Sequence, residues 1–169
     1  MSWLLTGKFS NTTTFIVLPQ STTEELLSKQ WHQLARCYIM GDFLQAADFQ
    51  NDIIDALLVN QKRMVHDFNK VGGTEPSKIK LVWANTPPNS PLREIVLQHV
   101  VGFSGGHGLE NEPVSFELQE YLSELVAKFI KTRLDNTKPT YPWENVCNFH
   151  VHPCKPKGYS CSNNCSVVE

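Results

Sequence analysis

No run in this chain approaches eighteen consecutive apolar residues, so the sequence offers no membrane-spanning helix. A basic excess is missing as well. Fifteen Lys and Arg against 17 Asp and Glu leave a formal charge of −2, whereas nucleic-acid-binding faces are clearly basic. Neither a membrane nor a nucleic acid is therefore expected as a partner. Charged residues (19%) and apolar residues (41%) are both lean, which implies a good deal of polar loop around one domain-sized core. Lys8 follows the short apolar patch at the amino terminus and no small-residue cleavage pattern comes after it, so a secretory signal is not expected. The sequon Asn11-Thr12-Thr13 then reads as polar loop. The expected location is intracellular, cytoplasmic or nuclear, where reduced thiols are the default for the five cysteines.

Recognisable reaction chemistry is also scarce. Gly105, Gly106 and Gly108 are followed by no Lys-Ser or Lys-Thr pair, so a hinge explains them better than a phosphate loop. Cys37, between Arg36 and Tyr38, reads as a small apolar filler on a helix. Asp42, Asp48, Asp52 and Asp55 have the spacing of caps and a solvated helix face. His99 falls on the apolar side of its segment, as a core or rim histidine does. With no nucleophile–base pair and no cofactor loop, no catalytic residue, no cofactor-binding residue and no enzymatic activity is expected.

What the chain does have is helical periodicity. Leu27, Trp31, Leu34 and Tyr38 recur at intervals of three and four, as do Phe49, Ile53, Ala56 and Leu57. Each set lines one face of a helix. The pattern predicts two short amphipathic helices joined by a turn, relaxed at Gly41 and Gln45-Ala46-Ala47, with Asp48 as candidate N-cap of the second. Two overlapping capping boxes, Ser21 with Glu24 and Thr22 with Glu25, mark the start of the first. The second runs to about Met64 or Phe68, before Gly72-Gly73. Residues 78–84 are ambiguous between helix and strand. Ser90 and Pro91 open a further helix with Leu92, Ile95, Val96, His99 and Val100 on one side, ending at Gly102. A long helix over 116–134 places Leu118, Leu122, Leu125 and Phe129 in register. Residues 1–9 are expected to end a helix at Gly7, and 12–18 to be extended. Past Pro139 no periodicity remains. The expected fold is mainly α. Trp31, Tyr38, Phe43 and Phe49 are expected to be largely core, with any that are exposed marking a contact patch.

Four segments carry a family resemblance. LARCYIMGDFLQAADFQNDIIDALL, residues 34–58, resembles the last helical pair of BTB/POZ domains, especially of the fungal branch. Trp3-Leu4-Leu5-Thr6-Gly7-Lys8 resembles the segment just before that pair. Asn85-Thr86-Pro87-Pro88-Asn89-Ser90-Pro91-Leu92-Arg93 resembles the one that follows it in fungal members. Cys147-Asn148-Phe149-His150-Val151-His152 resembles their Cys/His tail. The resemblance implies an incomplete BTB-like helical half over residues 1–68, a helical extension over 69–138 and an irregular Cys/His-containing tail over 139–169. It also implies a protein–protein interaction module, adaptor-like, with a cullin-type ubiquitin ligase component among its partners. The β-rich first half that forms the usual dimer has no counterpart in these residues, so the standard BTB homodimer is not expected.

The tail holds the one chemically suggestive cluster. Cys147, His150, His152 and Cys154, followed by Cys161 and Cys165, are the residue types that hold tetrahedral zinc. A metal would give a segment without a hydrophobic core a reason to be ordered. Their spacing matches no standard finger, and on an extended chain His150 and His152 face opposite sides. A small zinc-binding regulatory protein is thus the alternative to an interaction module, and a surface-docked tail with free thiols is the alternative to a metal site.

Overall fold

A computed structural model describes residues 23–68, 75–103, 116–136 and 141–151. Among the described residues the protein is mainly α, with five helices and no strand: α1 (Glu24–Phe43), α2 (Ala47–Phe68), α3 (Pro76–Asn85), α4 (Pro91–Phe103) and α5 (Phe116–Leu134). Two short 3-10 turns, Pro142–Glu144 and Val146–Phe149, follow.

The first two helices are long, at 20 and 22 residues. Leu27, Trp31, Leu34 and Tyr38 on α1 are buried, and so are Phe49, Ile53, Ala56 and Leu57 on α2. Both predicted seams therefore face inward. The caps fall one or two positions from those expected. Thr23 is the N-cap of α1, its hydroxyl accepting from the Leu26 amide, so neither Ser21 nor Thr22 stands at that position. Asp48 lies inside the first turn of α2, because the Ala46 carbonyl already accepts the Gln50 amide. A carboxylate there still sits favourably against the positive end of the helix.

Gly41 shows how close the pair is. It is buried within α1, and a Cβ placed on it would lie 2.8 Å from Phe49 Cδ1 and 2.9 Å from Gln50 Cγ. Gly41→Ala is expected to lower stability by about 1–3 kcal/mol through overpacking, although alanine is the better helix former. A chemical denaturation midpoint equal to or above that of the wild type would show that Phe49 gives way freely. The turn itself passes through Gln45 at φ 52°, a left-handed conformation that a side chain other than glycine or asparagine takes at some strain. Across the pair, the Asn60 amide donates to the Leu27 carbonyl at 3.1 Å and to Gln30 Oε1 at 2.9 Å.

The ambiguous segment at 78–84 is helical. Pro76 occupies the first turn of α3, where its missing N–H costs nothing. Ile79, Val82 and Trp83 are buried. Lys78 is buried with them, over the Trp31 ring at 5.5 Å with its ammonium 3.0 Å from Glu75. On α4, Leu92, Ile95, Val96, His99 and Val100 are all buried.

The register of α5 differs from the sequence reading. Leu118, Tyr121 and Leu125 face the core, while Leu122 and Phe129 are 37% and 38% exposed. Trp31, Tyr38 and Phe49 belong to the core, and Phe43 is 86% exposed at the end of α1. One apolar cluster runs from Trp31 through the helices to Trp143, Val146 and Phe149. The expected end of a helix at 1–9, the extended segment at 12–18, the glycines at 72–73 and 105–108 and the tail beyond Val151 lie outside the described residues.

Candidate functional site

Polar chemistry in the described residues gathers at two junctions, both on segments that the periodicity could not connect. The first is built around Arg93, 3% exposed in the first turn of α4. Its Nε donates to Thr86 Oγ1 at 3.1 Å, and one terminal nitrogen donates to the backbone carbonyls of Trp83 (3.0 Å) and Thr86. The other donates to Glu120 Oε1 at 2.8 Å and Glu124 Oε1 at 2.7 Å on α5. The guanidinium also lies 5.3 Å over the Trp83 ring. A rigid planar fork is suited to such a site, in which one cation stoppers the end of α3 and ties down two turns of α5. Beside it, the hydroxyls of Ser90 and Tyr38 are 3.4 Å apart, joining this turn to α1.

The second junction holds residues 141–151 on α2. Asn51 and Asp55 lie one helical turn apart and face the chain after Phe149. The Val151 amide donates to Asn51 Oδ1 at 2.6 Å, and Asn51 Nδ2 donates to the Val151 carbonyl at 3.2 Å. This is a two-bond pairing of the kind a neighbouring strand would make. His150 Nε2 is 2.8 Å from Asp55 Oδ1. An ionised carboxylate only accepts, so Nε2 carries the proton and donates it. Phe149 is buried just before, and Tyr141 stacks on Trp143 at a centroid distance of 4.5 Å.

This arrangement places two of the candidate zinc ligands. His150 is 9% exposed with its Nε2 turned to Asp55. Cys147 is disulfide-bonded, and a disulfide sulfur is not the thiolate that zinc requires. Its partner lies outside the described residues, because Cys37 is free. His152, Cys154, Cys161 and Cys165 also lie outside them. Among the described residues no three His, Cys, Asp or Glu side chains come together as a metal site. What the structure supplies at Cys147 and His150 is a docking clasp.

The clasp includes a residue that sequence reasoning assigned elsewhere. Asp55 has the spacing of a solvated helix face, yet it meets a histidine 95 residues away. Asp42 likewise accepts from the Gln50 side chain at 3.3 Å across the turn. Cys37 is half-buried, and burial pushes its thiol pKa up, away from the reactive thiolate. His99 is fully buried, and Tyr121 is pushed up to about 12 by burial. Among the described residues no helix is long and apolar enough to cross a membrane. Comparison with family models, characterised proteins and solved structures finds no match to this chain.

Asn51→Ala should loosen the clasp. Losing both bonds to the Val151 peptide is expected to lower stability by about 1–2 kcal/mol. Limited proteolysis should then cut after residue 136 sooner than in the wild type. Unchanged cleavage would mean that Phe149 and Val146 alone hold the segment.

Proposed function

We propose that this chain is a protein–protein interaction module of the fungal BTB/POZ kind, acting as an adaptor and carrying no catalytic activity. The observation that carries the reading is the clasp. Asn51 and Asp55 belong to the segment that resembles the BTB helical pair, and His150 and Val151 to the segment that resembles the Cys/His tail. Residues about a hundred positions apart thus meet where the two segments pack, Asp55 through the His150 side chain and Asn51 through the Val151 backbone. The Pro-rich segment meets the helical pair at Ser90, beside Tyr38, and is tied within itself by Arg93 and Thr86. Three of the four resembling segments therefore lie at least partly in the described residues and make specific contacts there. Such packing is what a family pattern preserved for structure would produce, and it supports a scaffold whose outer faces meet other proteins.

The partner class that follows from this reading is a cullin-type ubiquitin ligase component. The test is a titration of the purified full chain with a purified fungal cullin amino-terminal domain, followed by calorimetry or interferometry. Saturable binding tighter than about 100 μM, equivalent to roughly −5 to −6 kcal/mol, is the expected result. No heat and no binding signal up to that concentration, with a folded chain by circular dichroism, would remove the adaptor assignment.

A further inference from the structure

Helix α5 carries a broad apolar arc, one part of it buried and the rest exposed. Leu118, Tyr121 and Leu125 are buried against the other helices. Beside them, Leu122, Val126, Ile130 and Leu134 follow one another at intervals of four residues, exposed by 37%, 55%, 55% and 79%, with Phe129 alongside at 38%. At 1.5 Å per residue this stripe is about 18 Å long. Apolar helix surface is normally turned to a core or to a partner. Only Gln119, Ser123 and Arg133 interrupt the outer face with polar groups.

We propose that the outer face of α5 is the interface between two antiparallel copies of this chain. Three properties of the face point to that occupant. A two-fold interface must be complementary to itself, and this stripe reads nearly the same in both directions about residue 128. Antiparallel pairing sets Leu122 against Leu134 of the second copy and Val126 against Ile130.

Charge gives the same direction. Towards the start of α5, Glu117, Glu120 and Glu124 outnumber the single guanidinium of Arg93 and leave two net negative charges. Towards its end, Lys131 and Arg133 outnumber Asp135 and leave one net positive charge, while Lys128 is matched by Glu94. An antiparallel pair sets unlike ends together, whereas a parallel pair sets like beside like. The opposed helix dipoles add to the same preference.

Area sets the strength. The five apolar side chains offer roughly 450 Å² per copy, comparable to the largest apolar patch of an ordinary monomer, which is often functional. That is little more than half of the ~800 Å² that each partner gives to a standard interface. The dimer is therefore a reversible one. It uses no element that the usual BTB dimer requires, and it does not depend on the adaptor reading.

Sedimentation equilibrium of the full chain over a wide concentration range tests the proposal. The wild type should follow a monomer–dimer equilibrium, and the double variant Val126→Glu/Ile130→Glu should remain monomeric. Both positions are solvent-facing, so the helical circular dichroism of the variant should match that of the wild type, and so should its melting midpoint at concentrations where the wild type is monomeric. A second variant, Lys131→Glu/Arg133→Glu, should weaken the dimer by opposing like charges without touching the stripe. A wild-type chain that stays monomeric at every concentration would overturn the proposal. So would a dimer, or a ladder of larger oligomers, that the double variant leaves unchanged. If the wild type is monomeric and removal of residues 1–18 produces association that Val126→Glu/Ile130→Glu abolishes, the chain's own amino-terminal segment covers the face and the second copy does not.

Discussion

Replacing Arg93 with alanine is expected to lower the unfolding free energy by about 3–5 kcal/mol, the range seen when one member of a buried ion-pair network is removed. Every donor of the guanidinium is used, and the partners cannot replace it. Glu120 and Glu124 would face each other across one turn of α5 with no countercharge. The carbonyls of Trp83 and Thr86, at the end of α3, would lose their donor as well. Water reaches the carboxylates in part, since their side chains are 30% and 26% exposed. Rehydration therefore softens the charge penalty, and the stranded helix end makes up much of the loss.

Two controls separate these contributions. Arg93→Lys keeps the charge and loses the fork, so it should fall between wild type and alanine. Glu124→Gln in the Arg93→Ala background should recover about 1 kcal/mol by removing the repulsion, a coupling that independent sites would not show. Guanidinium denaturation measures all four proteins. A loss below about 1 kcal/mol for Arg93→Ala would make the junction peripheral to stability.

The part of this fold that was legible in the sequence is the part governed by local periodicity. Leu27, Trp31, Leu34 and Tyr38 were readable as one buried face because α1 has a polar side opposite them. On α5 the same method selected Leu122 and Phe129 with Leu118 and Leu125, although Leu122 and Phe129 lie at the edge of the outer stripe. The apolar arc of that helix extends past the part that meets the core, and a period of 3.6 does not say where the covered part ends. The caps moved by one residue because Ser21, Thr22 and Thr23 are chemically equivalent candidates and only the geometry chooses Thr23.

The candidate site was far less legible. Asp55 and His150, or Arg93 and Glu124, are paired across 95 and 31 residues. No local pattern records such a pairing. Lys78 was invisible for a related reason: between Ser77 and Ile79 in the first turn of α3 it reads as a solvent-facing position until the Trp31 ring meets it from α1. The resemblance could not say that Thr86, Ser90 and Arg93 act on one another, nor that His150 turns towards a carboxylate.

The second large effect is a loss of stability as the pH falls from about 6.5 to about 4. His99 is fully buried on α4, and its pKa is lowered to about 4, first by burial and then by the positive charge of Lys78. In the unfolded chain the same imidazole titrates at its ordinary value of about 6.5. Above that pH it is neutral in both states and contributes no slope. Between 6.5 and 4 the unfolded state holds one more proton than the folded state, so stability falls with falling pH. Below about 4 both states are protonated and the slope from this group ends. Integrated over the window, the loss is roughly 3 kcal/mol, at 1.36 kcal/mol for each unit of pKa difference. The upper part of the window, from pH 6.5 to 5, is the informative one, because ordinary carboxylates begin to titrate below it. Denaturant unfolding at half-unit steps of pH should show the decline there. His99→Leu should flatten it whatever that substitution does to stability at pH 7, since the readout is the slope. A slope that persists in His99→Leu would assign the titration to another group. A wild-type slope of zero would mean that the imidazole reaches water in the folded protein and takes up its proton near its ordinary pKa.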